Sequence, residues 1–138
     1  MKKNKLFLLG GHDLEMLEIK KILDSKKIKY FDNNLSWGAK LTDYQDKLIF
    51  DGLIYGIELD KDINPPDNYI EIDHHGENSN KPSSIEQVAK VLDIKLTRHQ
   101  LLVAKNDSSF IEGMKSFGAT DDEIQNIRFL DRDAQGIT

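Results

Sequence analysis

The sequence predicts an α/β fold: a doubly wound, mainly parallel sheet with flanking helices and a helical second half. Three observations carry this. Short apolar runs of strand length occur at Lys5–Leu9, Ile28–Phe31, Leu53–Ile57 and Tyr69–Ile72. Apolar residues at helical spacing separate the first run from the second, the strand–helix–strand rhythm of a parallel sheet. Beyond Ser83 the helical spacing continues, with Ser/Thr–x–x–Glu/Gln signals ahead of each stretch. A chain of 138 residues can form one domain with a real core, and 1–138 shows no repeat, low-complexity run or linker.

Lys5–Leu9, KLFLL, stops at Gly10-Gly11 and reads as a buried strand. His12-Asp13 follow, then LEMLEIKKILDSKK, where Met16, Ile19, Ile22 and Leu23 recur at helical spacing. Glu15 and Glu18 lie early and the lysines late, as the helix dipole prefers. Ile28–Phe31 is a second short strand, closed by the turn-forming Asp32-Asn33-Asn34. Within LSWGAKLTDYQDK, Thr42 is placed to cap a short helix. Asp51-Gly52 reads either as a hairpin turn or as the approach to a parallel strand, Leu53–Ile57, that ends at Glu58. The strand–helix rhythm favours the second. Asn64-Pro65-Pro66-Asp67 is a loop before the strand Tyr69–Ile72. Ser83 with Glu86, Thr97 with Gln100 and Thr120 with Glu123 open three helical stretches. Phe110, Ile111, Met114 and Phe117 form a stripe that stops at Gly118, and a last helix ends near Gly136.

Composition narrows the function. A net charge of −5 argues against a protein that coats duplex nucleic acid nonspecifically, which needs basic patches. With no cysteine, disulfides, thiolate metal sites and cysteine nucleophiles are excluded. No apolar run reaches membrane-spanning length, so a cytoplasmic location is the default expectation.

Ligands of open parallel sheets lie beyond the carboxyl ends of the strands. That rule collects His12-Asp13, Asn33-Asn34, Glu58 with Asp60, and Asp73-His74-His75 along one rim. The densest cluster is YIEIDHHGEN, Tyr69–Asn78, where a strand runs into an acid, two histidines and a glycine. Neutral imidazole is a common metal ligand, and an adjacent carboxylate can fix its tautomer. Each rim residue also has an ordinary reading. Asp13 serves equally as a helix cap, Glu15 and Glu18 as first-turn acids, though Glu15 stands close to the rim, and Asp60 as a solvated loop acid. Gly10-Gly11 reads as a turn, His99 as a surface residue, Trp37 and Tyr44 as packing, and Asp131-Arg132-Asp133 as a charged helix face. Asp107 in KNDSSF stands either as a cap or as a ligand distant in the chain.

IDHHG, preceded by a strand and followed by SSIEQVAKVL, resembles the Asp-His-His (DHH) phosphoesterases. These are Mn²⁺- or Mg²⁺-dependent hydrolases with a Rossmann-like N-terminal lobe and a smaller substrate lobe. The resemblance covers the chain as a first lobe; no second, glycine-rich lobe is expected within it. VAKND, containing Asp107, is similar to the family's downstream acid. Glu58 stands where the family has a strand-end aspartate, and His12-Asp13-Leu14-Glu15 contracts its H-x-x-x-D-x-D motif. The resemblance implies that His12, Asp13, Glu58, His74 and Asp107 hold the metal. His75 then contacts phosphate or protonates the leaving oxygen, and Asp73 orients a ligand. Mixed imidazole and carboxylate ligands suit Mn²⁺ better than Mg²⁺. The expected activity is metal-dependent hydrolysis of a phosphodiester or phosphoanhydride, on a phosphorylated small molecule or short nucleic acid. The alternative is a degenerate, non-catalytic domain that binds a nucleotide or a protein.

Overall fold

A computed structural model describes residues 4–33, 35, 38–74 and 81–136, without the side chains of Ser108 and Ser109. Four parallel strands, β1 (Lys5–Leu9), β2 (Lys29–Asp32), β3 (Leu53–Ile57) and β4 (Tyr69–Ile72), form one sheet in the order β2-β1-β3-β4. Helix α1 (Leu14–Ser25) links β1 to β2, and a 3₁₀ segment, Leu41–Lys47, lies between β2 and β3. Helices α2 (Ser84–Leu92), α3 (Arg98–Phe117) and α4 (Asp121–Ala134) complete the chain. The fold is the doubly wound α/β architecture that the apolar runs predict.

Successive side chains of a strand point to opposite faces, and both faces of this sheet are covered. Phe7, Leu9, Tyr55, Ile57 and Ile72 pack with residues of α1 and α2 and with Ala104 of α3. Leu6, Leu8 and Ile54 pack on the other side with Leu41 and Tyr44 of the 3₁₀ segment. Phe7 and Tyr55 are paired in register, and their rings stack at 4.8 Å. This two-sided cover follows from chirality. The β1–α1–β2 crossover moves one way along the sheet and the return to β3 moves the other way. Parallel crossovers keep one hand, so the two connections occupy opposite faces. The direction reverses between β1 and β3, which makes their carboxyl ends the switch point of the sheet.

The capping signals work as the sequence predicts. The side chains of Ser83, Thr97 and Thr120 accept from Glu86, Gln100 and Glu123 N–H, and each box is reciprocal. Gly118 closes α3 in the left-handed conformation at φ 100°. The two stretches on either side of Asp107 belong to one element, broken by a non-helical residue at Phe110. A third core joins α3 and α4 to the start of α1 through Leu14, Leu102, Val103, Met114, Ile124 and Ile127.

Some local expectations change. Thr42 lies inside the 3₁₀ segment, preceded by Lys40, and its N–H and hydroxyl both turn to Asp62. Asp51-Gly52 does not close a hairpin, because β3 pairs in parallel with both β1 and β4. The second strand starts at Lys29, since Ile28 N–H still donates to Leu23 O at the end of α1 (2.9 Å). Among the described residues no helix is long and apolar enough to cross a membrane.

Candidate metal centre

The carboxyl ends of β1, β3 and β4 converge where the sheet reverses direction, the place open α/β sheets use for ligands. Glu58 follows β3 directly, with its own backbone left-handed at φ 56°. That conformation costs a non-glycine residue about 1–3 kcal/mol and concentrates at functional sites. Glu58 N–H nevertheless continues the sheet by donating to Ile72 O (2.8 Å). Glu15 comes from the first turn of α1, His74 from just beyond β4, and Asp107 from α3. One ligand atom from each of these four residues lies within 4.8 Å of all the others. Opposite ligands of an ion bound at about 2.2 Å stand roughly 4.4 Å apart, so a few tenths of an ångström of closure completes a shell.

The N-terminus of α2 orders two members of the group. Ser84 N–H donates to His74 Nδ1 (3.2 Å), with Ser84 Oγ at 3.3 Å from the same nitrogen. Ile85 N–H donates to Glu15 Oε2 (3.2 Å), setting that carboxylate at the positive end of the helix dipole. Asp73 Oδ1 accepts from His74 N–H (2.8 Å), and Asp73 O accepts from Gln87 Nε2. His74 Nε2 then reaches Asp107 Oδ2 at 2.5 Å.

Glu15 is 1% exposed, so its carboxyl meets the others with little water between them. Burial pushes it well above the usual carboxylate range, and the charges of Asp107 and Glu58 push it further. Asp13 is pushed up to about 7, first by burial, then by Asp107 and Glu58. Its cap bond from Met16 N–H (3.0 Å) opposes the shift. Acids forced together in this way need protons or a cation between them. An imidazole and three carboxylates form a donor set that could hold a metal ion.

Of the residues singled out in the sequence, Glu58, His74 and Asp107 stand in the four-residue group. Asp13 lies beside it, feeling the same charges, while it caps α1. His12 is exposed and outside the group. His75, Asn34 and Trp37 lie outside the described residues. Asn33 is used locally: its N–H donates to Tyr44 Oη and its Nδ2 to Asp43 O. Arg98 is held by Glu123 at 2.9 and 3.0 Å.

Glu15 is the group member that a first-turn reading passes over. The signal was present: Glu15, Ile19 and Ile22 share the i, i+4, i+7 stripe that faces the core. Asp131 also changes role. It is no mere charged helix face, because its Oδ1 accepts from Leu14 N–H (3.2 Å) and its Oδ2 from Asn106 Nδ2 (3.0 Å). It thereby ties α4 to the first turn of α1 and to the residue before Asp107.

Ser84, His74 and Asp107 have the connectivity of a hydroxyl–imidazole–carboxylate relay. Ser84 is fully buried, however, so its oxygen cannot attack a substrate. Gly10 is a packing residue. A Cβ there would meet Glu58 O at 2.7 Å and Ile57 O at 2.9 Å, both backbone atoms at the end of β3. Gly10→Ala is expected to cost about 1–3 kcal/mol in urea unfolding, because that backbone must move. Glu58 moves with it, so cation affinity read by calorimetry should fall in the same variant. Comparison with family models, curated proteins and solved structures gives no match for the chain.

Proposed function

We propose that this protein is a metal-dependent phosphohydrolase acting on a phosphodiester or phosphoanhydride, with Mn²⁺ as the preferred ion. The observation that supports this reading best is the convergence of Glu15, Glu58, His74 and Asp107 at the switch point of the sheet. These four residues would hold the ion, and the mixed nitrogen and oxygen donors favour Mn²⁺ over Mg²⁺. When bound, the ion supplies a water of lowered pKa and takes up negative charge on phosphoryl oxygens. Asp13, at about 7 in the metal-free protein, is a proton carrier suited to neutral pH. A cation beside it favours its carboxylate form, which accepts a proton from an attacking water. Asp73 fixes the His74 backbone. The likeness of IDHHG and VAKND to the DHH phosphoesterases supports the same reading and gives His75 the contact to phosphate or leaving oxygen.

The test is turnover of bis(p-nitrophenyl) phosphate, pyrophosphate and a short RNA with and without Mn²⁺. Asp107→Asn keeps the size of the side chain and removes a charged ligand. It should lower Mn²⁺-dependent turnover by about 100-fold or more, as loss of a metal ligand does. Equal turnover in the two proteins would rule out this site. A second reading, a non-catalytic domain that binds a nucleotide or a protein, is favoured by one observation: exposed His12 lies outside the group. It predicts metal and ligand binding with no turnover of any substrate.

A further inference from the structure

Resting on the metal reading above, we infer that Ser84 is a positioning residue serving His74 in both states of the site, through its N–H without a cation and through its hydroxyl with one. Ser84 Oγ and Ser84 N lie 3.3 and 3.2 Å from the same nitrogen, His74 Nδ1. A backbone N–H aimed at Nδ1 requires a lone pair there, so the neutral ring carries its hydrogen on Nε2, facing Asp107. Nε2 is also the nitrogen that faces another member of the group, 2.5 Å from Asp107 Oδ2. A cation taken up at Nε2 needs the lone pair on that side, which moves the ring hydrogen to Nδ1. The ring stays neutral. It gives one proton to solvent at Nε2 and takes one from solvent at Nδ1.

The new Nδ1–H needs an acceptor, since histidine ligands donate their second ring nitrogen to a partner that fixes the tautomer. The amide of Ser84 cannot accept, and its hydroxyl can. Ser84 and His74 are both buried, 0% and 6% exposed, so bulk water is a poor substitute for that oxygen. The hydroxyl is therefore dispensable in the metal-free state, where the backbone N–H serves, and needed in the loaded state.

This asymmetry separates the role from simple packing. Zn²⁺ is the probe, a diamagnetic ion that accepts imidazole and carboxylate ligands. Calorimetric titration of wild type and Ser84→Ala should show affinity 10- to 100-fold lower in the variant. The metal-free melting temperatures of the two proteins should agree within a few degrees. In ¹⁵N-labelled wild type, long-range proton–nitrogen spectra should show the His74 hydrogen on Nε2 without Zn²⁺ and on Nδ1 at saturation. The His74 signals are identified by their loss in His74→Ala. Equal Zn²⁺ affinity in Ser84→Ala, or Nε2–H retained in the saturated wild type, would overturn the inference while leaving the metal site standing. Failure of wild type to bind Zn²⁺ and Mn²⁺ would overturn both. If Ser84→Ala does not fold, the wild-type tautomer decides.

Discussion

Glu58→Gln is expected to raise the melting temperature of the metal-free protein at pH 8 and to lower its Mn²⁺ affinity by about 100-fold or more. The two effects have one cause. Glu58 is among the charges that push both Asp13 and Glu15 upward. At pH 8 that arrangement holds like charges close together in a partly dry site. The amide removes one negative charge and offers N–H donors to Glu15, whose Oε1 is buried without a hydrogen-bond donor among the described residues. A gain of about 1–2 kcal/mol is reasonable for relief of one such repulsion. The same substitution deletes a charged ligand, and a neutral amide oxygen holds Mn²⁺ weakly. An acid retained for structure behaves in the opposite way: its removal costs stability and leaves cation binding alone. Differential scanning calorimetry in chelator, paired with Mn²⁺ calorimetry, reads both signs. A lower melting temperature with unchanged Mn²⁺ affinity would remove Glu58 from the site.

The sheet was legible in the sequence because parallel strands covered on both faces must be mostly apolar, as KLFLL after its lysine and LIYGI are. The helix starts of the second half were legible because a capping box is local, closing within four residues. Glu58 and His74 were found by one rule, that ligands gather at the carboxyl ends of parallel strands. Glu15 was harder. Its position in the first turn invites a dipole explanation, and its closeness to the rim and its place on the core stripe argue for the site. Asp107 was reached through the likeness of VAKND to a family motif, since nothing local distinguishes it from a cap. The bond from Leu14 N–H to Asp131 joins residues 117 apart, and no pattern in a single sequence encodes such a contact. Contacts between distant elements depend on how α3 and α4 pack, which periodicity does not determine.

The metal-free protein is expected to lose stability as pH rises from about 5 to 8, and saturating Mn²⁺ is expected to reverse the trend. Asp13 has an ordinary value of 3.8 and is raised to about 7 in the folded chain. Between those values the folded state holds a proton that the unfolded state releases. Stability therefore decreases with pH across that interval, being full below about pH 4 and lost above about 7. A shift of this size corresponds to on the order of 4 kcal/mol for Asp13, or roughly 10 °C in melting temperature. Glu15, raised for the same reasons, adds to the effect in the same direction. Other shifted groups act elsewhere on the scale. Glu123, lowered to about 2 first by its Arg98 hydrogen bond, loses its contribution only as pH falls from 4.5 toward 2. Lys20 is raised from 10.5 by Asp32 and changes charge well above the window. A cation replaces the protons that the acids need, and it competes best where protons are scarce. Its stabilisation by mass action should therefore be largest at pH 8. Thermal melts at pH 5.5 and 8, in chelator and again with Mn²⁺, provide the check. A metal-free stability that is flat or rising across this range would mean that Asp13 and Glu15 do not hold their protons together, and the electrostatic case for a cation at this site would fail.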